Sequence, residues 1–238
     1  MLELQNIQGG YRKDVPILNG INLTVKVGDT LAVLGQNGCG KSTLAKAIVN
    51  QLPFLEGEIQ FYGKQISGKN TLSIVKSGIG FFMQGGRTFP HLTIKENLRL
   101  AAHQITSKEF ELRFAELKEY FSLLQNDKLG IESSYLSGGE KHLLALAMII
   151  INKPKLLILD EPSAGLSPAN VEIMYQTIAT IKQTEKITVL LIEQNVEKAI
   201  MYSNRVALLS NGIIAKELDV HSVNTIEQIN DFYFKLES

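Results

Sequence analysis

Eight consecutive residues, Gly35-Gln36-Asn37-Gly38-Cys39-Gly40-Lys41-Ser42, narrow what this chain can fold into more than any other stretch. They fit Gly-x-x-x-x-Gly-Lys-Ser/Thr, the pattern of a loop that wraps a phosphate. The flanks supply the context that the pattern needs. Leu31-Ala32-Val33-Leu34 reads as a short buried strand, and Thr43 to Val49 as the opening of a helix. Glycines let successive N–H groups curl round an oxyanion with no Cβ in the way. The helix start adds unpaired N–H groups and a partial positive charge. Lys41 is placed to reach the outer phosphates, and the Ser42 hydroxyl to ligate Mg²⁺.

The residues around this loop alternate between strand and helix signals, which predicts an α/β fold. Ile21, Leu23, Val25 and Val27 alternate with Asn22, Thr24 and Lys26, the period of a half-buried strand, and Leu2, Leu4 and Ile7 suit an edge strand. The helix behind the loop is expected over 43–52, ended by Pro53. Gly57–Gly63 and Ile79–Met83 read as strands, 68–76 as loop with about one turn, and Gly85-Gly86-Arg87-Thr88-Phe89-Pro90 as irregular. From 94 to 124 the composition turns helical. Ser107 offers an N-cap, and Phe110, Leu112, Phe114, Leu117, Phe121 and Leu124 lie mostly three or four apart, an amphipathic pattern. This block is read as a helical subdomain inserted between two halves of the α/β core. Beyond 155 the alternation resumes: strands at 156–159 and 187–192, helices at 168–182 and 196–202, a hairpin turning at Asn211-Gly212, and a weak helix over 223–236.

A second half of a phosphate site is legible where the strand at 156–159 ends in Asp160-Glu161. Ligands of nucleotide-binding α/β folds collect at the carboxyl ends of parallel strands. An aspartate there can hold the hydration shell of Mg²⁺, and a second carboxylate can orient or deprotonate an attacking water. Leu136-Ser137-Gly138-Gly139-Glu140 is another Gly-rich turn into a helix. Ser137 and Glu140 have capping-box spacing, so the turn reads either as a plain cap or as a second anion site built from N–H groups of Ser137, Gly138 and Gly139.

Taken in order, Gly35–Ser42, Gln84, Leu136–Glu140 and Leu156–Glu161 resemble the motifs of the ATP-binding subunit of ATP-binding cassette (ABC) transporters, over residues 2 to about 217. The resemblance implies a P-loop NTPase core of mostly parallel sheet with an N-terminal antiparallel β subdomain and an inserted α-helical subdomain. It divides the chain into a RecA-like core at 1–90 and 155–220, a helical subdomain at 91–154 that carries the signature turn, and a tail at 221–238.

The same resemblance assigns roles. Tyr11 stacks on adenine, and Gly35, Asn37, Gly38, Cys39, Gly40, Lys41, Ser42 and Thr43 hold the phosphates. Ser42, Gln84 and Asp160 serve the Mg²⁺, Glu161 is the catalytic carboxylate, and Gln84 senses metal and γ-phosphate. Ser137, Gly138 and Gly139 close over ATP held by a second subunit, so that two subunits sandwich two ATP molecules head to tail. Ser163-Ala164-Gly165-Leu166 resembles the loop that crosses between the two sites. One position departs from the pattern. A histidine is usual where this chain has Gln194, and glutamine can hydrogen-bond a γ-phosphate but carries no charge. Hydrolysis is expected to survive, if more slowly. Glu193-Gln194-Asn195 and the runs 85–90 and 161–166 point to the branched-chain amino acid uptake type. His91, His103, His142 and His221 match no catalytic position and read as satisfied surface or core side chains.

Composition narrows the partners. The 24 basic and 24 acidic residues cancel, which removes any electrostatic argument for nucleic acid. The single cysteine excludes an internal disulfide framework, and no apolar run reaches membrane-spanning length. The expected protein is cytoplasmic and peripheral on the inner membrane face. Its expected partners are a second such ATPase subunit, alike or paralogous, and separate integral membrane permeases. The alternatives are the ATPase of an exporter and an ATP-switched soluble regulatory module.

Overall fold

Backbone pairing in this computed structural model follows from where the apolar residues alternate and where single residues leave the β region. Residues 1–102, 105–125, 127–222 and 224–237 are described. They fall into two compact units, Met1–Ile74 with Thr188–Ser238, and Val75–Ile187.

In the first unit, β1 (Leu2–Gly10), β2 (Leu18–Val25), β4 (Phe54–Phe61) and β5 (Lys64–Gln65) form an antiparallel sheet in the order β2-β1-β4-β5; β3 (Thr30–Leu34) lies between β2 and β4 in sequence. Two expectations are corrected here. β1 is not an edge strand: Leu2 pairs with both Val25 and Phe61. Alternation reports which face is buried and says nothing about the neighbours along the hydrogen-bonding direction. Strand β2 also stops at Val25 and leaves Val27 exposed, because Gly28 turns the chain with φ 79°. Within β1, Asn6 takes φ 51° and shifts the register, which returns Ile7 to the buried face. Gly57 of β4 meets that bulge. A Cβ there would stand 2.5 Å from the Asn6 carbonyl oxygen, so β4 runs through its glycine from Phe54 rather than starting at it.

The other strands of this unit run β10-β9-β3-β8, with β8 (Thr188–Glu193), β9 (Arg205–Ser210) and β10 (Ile213–Asp219). β3 is parallel to β8 and β9, and β10 folds back antiparallel on β9. Every residue of β3 and of β8 is buried, the pattern of strands covered on both faces. Helix α1 (Lys41–Ile48) follows β3 after the loop at 35–40 and ends at Ile48 with Val49 as its C-cap, short of the expected 52; the left-handed Asn50 then turns the chain before Pro53. Helix α2 (Thr71–Lys76) replaces the expected loop; Asn70 Oδ1 accepts the Ser73 N–H at 2.9 Å and starts it. Helix α7 (Val196–Tyr202) follows β8, and α8 (Thr225–Glu237) closes the chain. Val223, where the final helix was expected to begin, lies outside the described residues.

The second unit contains the parallel pair β6 (Ile79–Phe82) and β7 (Leu156–Asp160), with helices α3 (Ile94–Ala101), α4 (Ser107–Tyr120), α5 (Gly138–Ile150) and α6 (Pro168–Glu185). Helix α4 is capped by Thr106, not Ser107: Thr106 and Glu109 exchange hydrogen bonds as a capping box. The three-residue spacing decides it, since Ser107 would need an acid or amide at position 110, where Phe stands. The helix also stops at Tyr120, and 122–124 form a 3₁₀ turn.

The polar tie of this unit is Arg113 of α4, 4% exposed. Its guanidinium donates to Glu116 Oε2 (2.7 Å), to the Ile150 carbonyl at the end of α5 (2.8 Å) and to Glu185 Oε2 at the end of α6 (2.7 Å). Removing one partner of a buried ion pair strands the other charge. Arg113→Met is therefore expected to cost about 3 kcal/mol of stability, read as a fall in the urea unfolding midpoint. A midpoint equal to that of the native chain would show that the pair contributes nothing.

Candidate functional site

The loop between β3 and α1 is built on backbone. Gly35 is buried, and a Cβ on it would lie 2.4 Å from the Leu209 carbonyl oxygen and 2.5 Å from Cys39 Sγ. Gly38 takes φ 80° in open space, and Gly40 takes φ 110° as the N-cap of α1. No side chain caps that helix, and an α-helix start of this kind is where an anion can bind. Lys41 is 5% exposed, and its ammonium donates to the carbonyls of Gly35 (2.8 Å) and Gln36 (3.0 Å). It thus lies across the loop, where a phosphate oxygen can replace a carbonyl. Asn37 is exposed, Ser42 half-buried and Thr43 buried. Burial pushes the Cys39 thiol above its ordinary pKa, although Lys41 pulls it the other way.

Tyr11 lies in the same unit, half-exposed, just past β1. Lys46 of α1 donates to its hydroxyl at 2.8 Å and sits 5.3 Å from its ring centre. Helix α1 thereby carries both the turn after the glycine loop and the anchor of the aromatic ring. Gln194 follows β8 on the surface. The buried Glu193 accepts the N–H groups of Gln194 (2.9 Å) and Asn195 (3.0 Å), and Asn195 caps α7 through the Lys198 N–H. The backbone at Gln194 is therefore held while its side chain projects.

In the second unit, Asp160 is 4% exposed at the end of β7. Glu161 takes φ 45°, a conformation that costs a non-glycine residue of order 1 kcal/mol or more and concentrates at functional sites. Its Oε2 accepts a hydrogen bond from Gln84 Nε2 at 2.7 Å. The structure thus brings together two residues 77 apart in sequence that the resemblance paired by role. Ser163–Leu166 forms a turn closed by the Leu166 N–H on the Ser163 carbonyl, with Gly165 at φ 78°.

At the turn before α5, Ser137 accepts the Glu140 N–H and Glu140 accepts the Ser137 N–H, a complete capping box. The Ser137 N–H, aided by Lys128, holds the Glu140 carboxyl below the usual carboxylate range. The cap does not account for both glycines. Gly139 packs against the Asn170 side chain, whose amide lies 2.6 Å from where a Cβ would stand, so a larger residue there would have to displace that side chain. Gly138 has φ in no special region and open space around it, so nothing within the chain requires it.

Among the histidines, His91 and His221 are exposed, and His103 lies outside the described residues. His142 is only half satisfied: Nδ1 pairs with the Gly138 carbonyl at 2.9 Å, while Nε2 is buried without a partner among the described residues. Two supporting residues were missed in the sequence. Asn97 is fully buried, accepts the Phe89 N–H (2.7 Å) and donates to the Leu92 carbonyl (2.9 Å), which pins the loop after Gln84. A polar residue at the core-facing spacing Ile94-Asn97-Leu98 was the available signal. The other is Gly212, whose sequence signature was only that of a turn.

The donor set suits Mg²⁺. Among the described residues no cluster of three or more His, Cys, Asp or Glu forms a metal cage. Mg²⁺ keeps several waters and takes one or two protein oxygens beside substrate phosphates, and a hydroxyl such as that of Ser42 or a carboxylate such as that of Asp160 is an oxygen donor of the kind it takes. Among the described residues no helix is long and apolar enough to cross a membrane.

A family model described as ABC transporter matches residues 18–164. The high-affinity branched-chain amino acid transport ATP-binding protein BraG of Pseudomonas aeruginosa is 30% identical over 233 residues, 98% of this chain and 99% of that protein. The probable branched-chain amino acid transport ATP-binding protein LivF of Archaeoglobus fulgidus is 34% identical over 215 residues, 90% of each chain. A solved ATP-binding subunit of an ABC transporter shares the fold with a TM-score of 0.82 at 24% identity, covering 100% of both chains. A dimeric ATP-binding cassette in a post-hydrolysis state with ADP and Pi shares it with a TM-score of 0.79 at 22% identity, over 93% of this chain and 100% of that one. With its family pattern, its full-length relatives and its fold in agreement, this chain belongs to the ABC transporter family.

Proposed function

We propose that this chain hydrolyses Mg-ATP as one half of a head-to-tail nucleotide-sandwich dimer and powers import, with amino acids as cargo, through separate membrane permeases. The carrying observation is the Gln84–Glu161 hydrogen bond at the end of β7, which holds a carboxylate ready beside a second, buried acid. The glycine loop and Lys41 bind the phosphates, and Tyr11 stacks on the adenine. Ser42, Asp160 and Gln84 serve the metal, which when bound neutralises the charge on the β- and γ-phosphate oxygens.

Glu161 orients a water against the γ-phosphorus and accepts its proton. The bond from the γ-phosphorus to the β–γ bridging oxygen breaks, leaving ADP and phosphate. Gln84, which donates to Glu161, exchanges that bond for the γ-phosphate when ATP binds and would then also serve the metal, which couples occupancy of the site to release of the base. Gln194 donates a neutral hydrogen bond to the γ-phosphate. Ser137, Gly138 and Gly139 close over the ATP of the partner subunit, and the open space at Gly138 suits such an approach.

Import is favoured by the relatives' names: besides the two amino acid systems they include spermidine/putrescine, phosphonate and aliphatic sulfonate importers. The loop at 85–92, pinned by Asn97, and helix α3 form the proposed permease-facing surface, and the chain acts on the cytoplasmic face of the membrane.

Lys41→Ala is expected to remove most ATP binding in calorimetric titration; near-native affinity would refute the phosphate loop assignment. Glu161→Gln is expected to slow turnover about 100-fold or more while Mg-ATP drives a dimer visible by light scattering. Unchanged turnover would remove Glu161 from the role of base. Capture of tagged Glu161→Gln chain from gently solubilised membranes with ATP present tests the partners. Co-purifying polytopic membrane proteins support the transporter, and exclusively soluble partners overturn it.

A further inference from the structure

The hairpin turn between β9 and β10 touches the phosphate loop at both ends, and nothing in the proposed chemistry uses it. Asn211 and Gly212 take φ 47° and 75°, the left-handed pair of a tight hairpin. The Gly212 N–H donates to the Cys39 carbonyl at 3.1 Å. One turn earlier in the same hairpin, the Leu209 carbonyl lies where any Cβ on Gly35 would be, at 2.4 Å. A third segment locks the turn from behind. The Gly212 carbonyl accepts the Asn19 N–H at 2.8 Å, and the Asn211 carbonyl accepts Asn19 Nδ2 at 3.0 Å. A Cβ on Gly212 would stand 1.9 Å from the Ile17 carbonyl oxygen, so no other residue fits without moving the turn. Gly40 in turn rests on Ile17 and Leu18, where a Cβ would be 3.2 Å from each side chain.

We infer that the Asn211-Gly212 turn is a positioning clamp for the phosphate loop, with Gly212 orienting the Cys39–Gly40 peptide for nucleotide binding. A trans peptide carries its carbonyl and its N–H on opposite sides. The bond from Gly212 draws the Cys39 carbonyl towards the hairpin and so turns the Gly40 N–H away from it, towards the mouth of the loop. Left-handed Gly40 has no side chain to fix its own peptide plane, and the loop has no regular hydrogen-bond ladder. The hairpin supplies what the loop lacks: a neighbouring strand pair of fixed geometry. Gly212 touches no substrate. It acts through Cys39 and Gly40 and is a positioning residue for a binding step that rests on the proposed ATP site.

The test is calorimetric titration of the full chain with Mg-ATP, alongside ¹⁵N-glycine spectra of the nucleotide-free protein, on samples whose circular dichroism matches the native chain. Gly212→Ala is expected to weaken Mg-ATP about tenfold or more, the cost of a displaced binding group, and to shift the Gly40 amide resonance. Asn19→Ala adds no atom and removes one anchor of the turn. It is expected to weaken Mg-ATP about threefold and to shift Gly40 in the same direction. Asn211→Gly keeps both the left-handed backbone and the Gly212 N–H and is expected to bind within about twofold of native.

A folded Gly212→Ala chain with native affinity would overturn the clamp, as would lost affinity with an unmoved Gly40 resonance. If Gly212→Ala does not fold, native affinity and a native Gly40 resonance in Asn19→Ala overturn it. Failure of the native chain itself to bind Mg-ATP would instead overturn the proposed ATP site.

Discussion

Backbone packed against backbone at Gly35 is the constraint on which the loop and its surroundings depend. The Leu209 carbonyl oxygen occupies the place of a side chain there, 2.4 Å from where a Cβ would be. Strand β3 must therefore leave the sheet at a glycine, with β9 beside it in parallel register, Leu34 opposite Leu208. Beyond that contact the chain turns at Gly38 (φ 80°) and reaches the left-handed Gly40 at the start of α1. The loop is a shape imposed by its neighbours on residues that have little conformational preference of their own.

The second unit solves a different problem. At the end of its buried strand β7 stands a carboxylate, Glu161, next to the buried Asp160. Glu161 is held in a left-handed conformation and by one neutral donor, Gln84. A neutral amide gives up a carboxylate more cheaply than a lysine or arginine would, since hydrogen bonds between ions are roughly twice as strong. The strong ionic tie of this unit lies elsewhere, at Arg113 with Glu116 and Glu185, where it joins helix ends and takes no part in chemistry.

Capping recurs as the local device that sets helix starts. Thr93, Thr106 and Ser137 each close a box with the glutamate three residues on. At α1 alone among the helices of eight or more residues that open on a described cap, Gly40 brings a left-handed backbone and no side-chain acceptor. The start of α5 is intermediate: its box is complete, yet Gly138 remains without a role inside the chain.

Local chemistry settled much of this protein from sequence. The glycine loop at 35–42, the apolar runs of β3, β7 and β8 with Asp160-Glu161 after that of β7, and the Asn-Gly hairpin were legible because each rests on spacing within a few residues. The family pattern was legible for the same reason. What the sequence could not carry was anything set by distant backbone. The interior position of β1, the early stop of β2, the bulge at Asn6 answered by Gly57, and the burial of Asn97 all depend on which segment packs alongside. So does the role of Gly212. As a sequence feature it is half of a two-residue turn. Only the tertiary structure brings its N–H to the Cys39 carbonyl, 173 residues away by number, because hydrogen bonds between remote segments leave no periodic trace in either one.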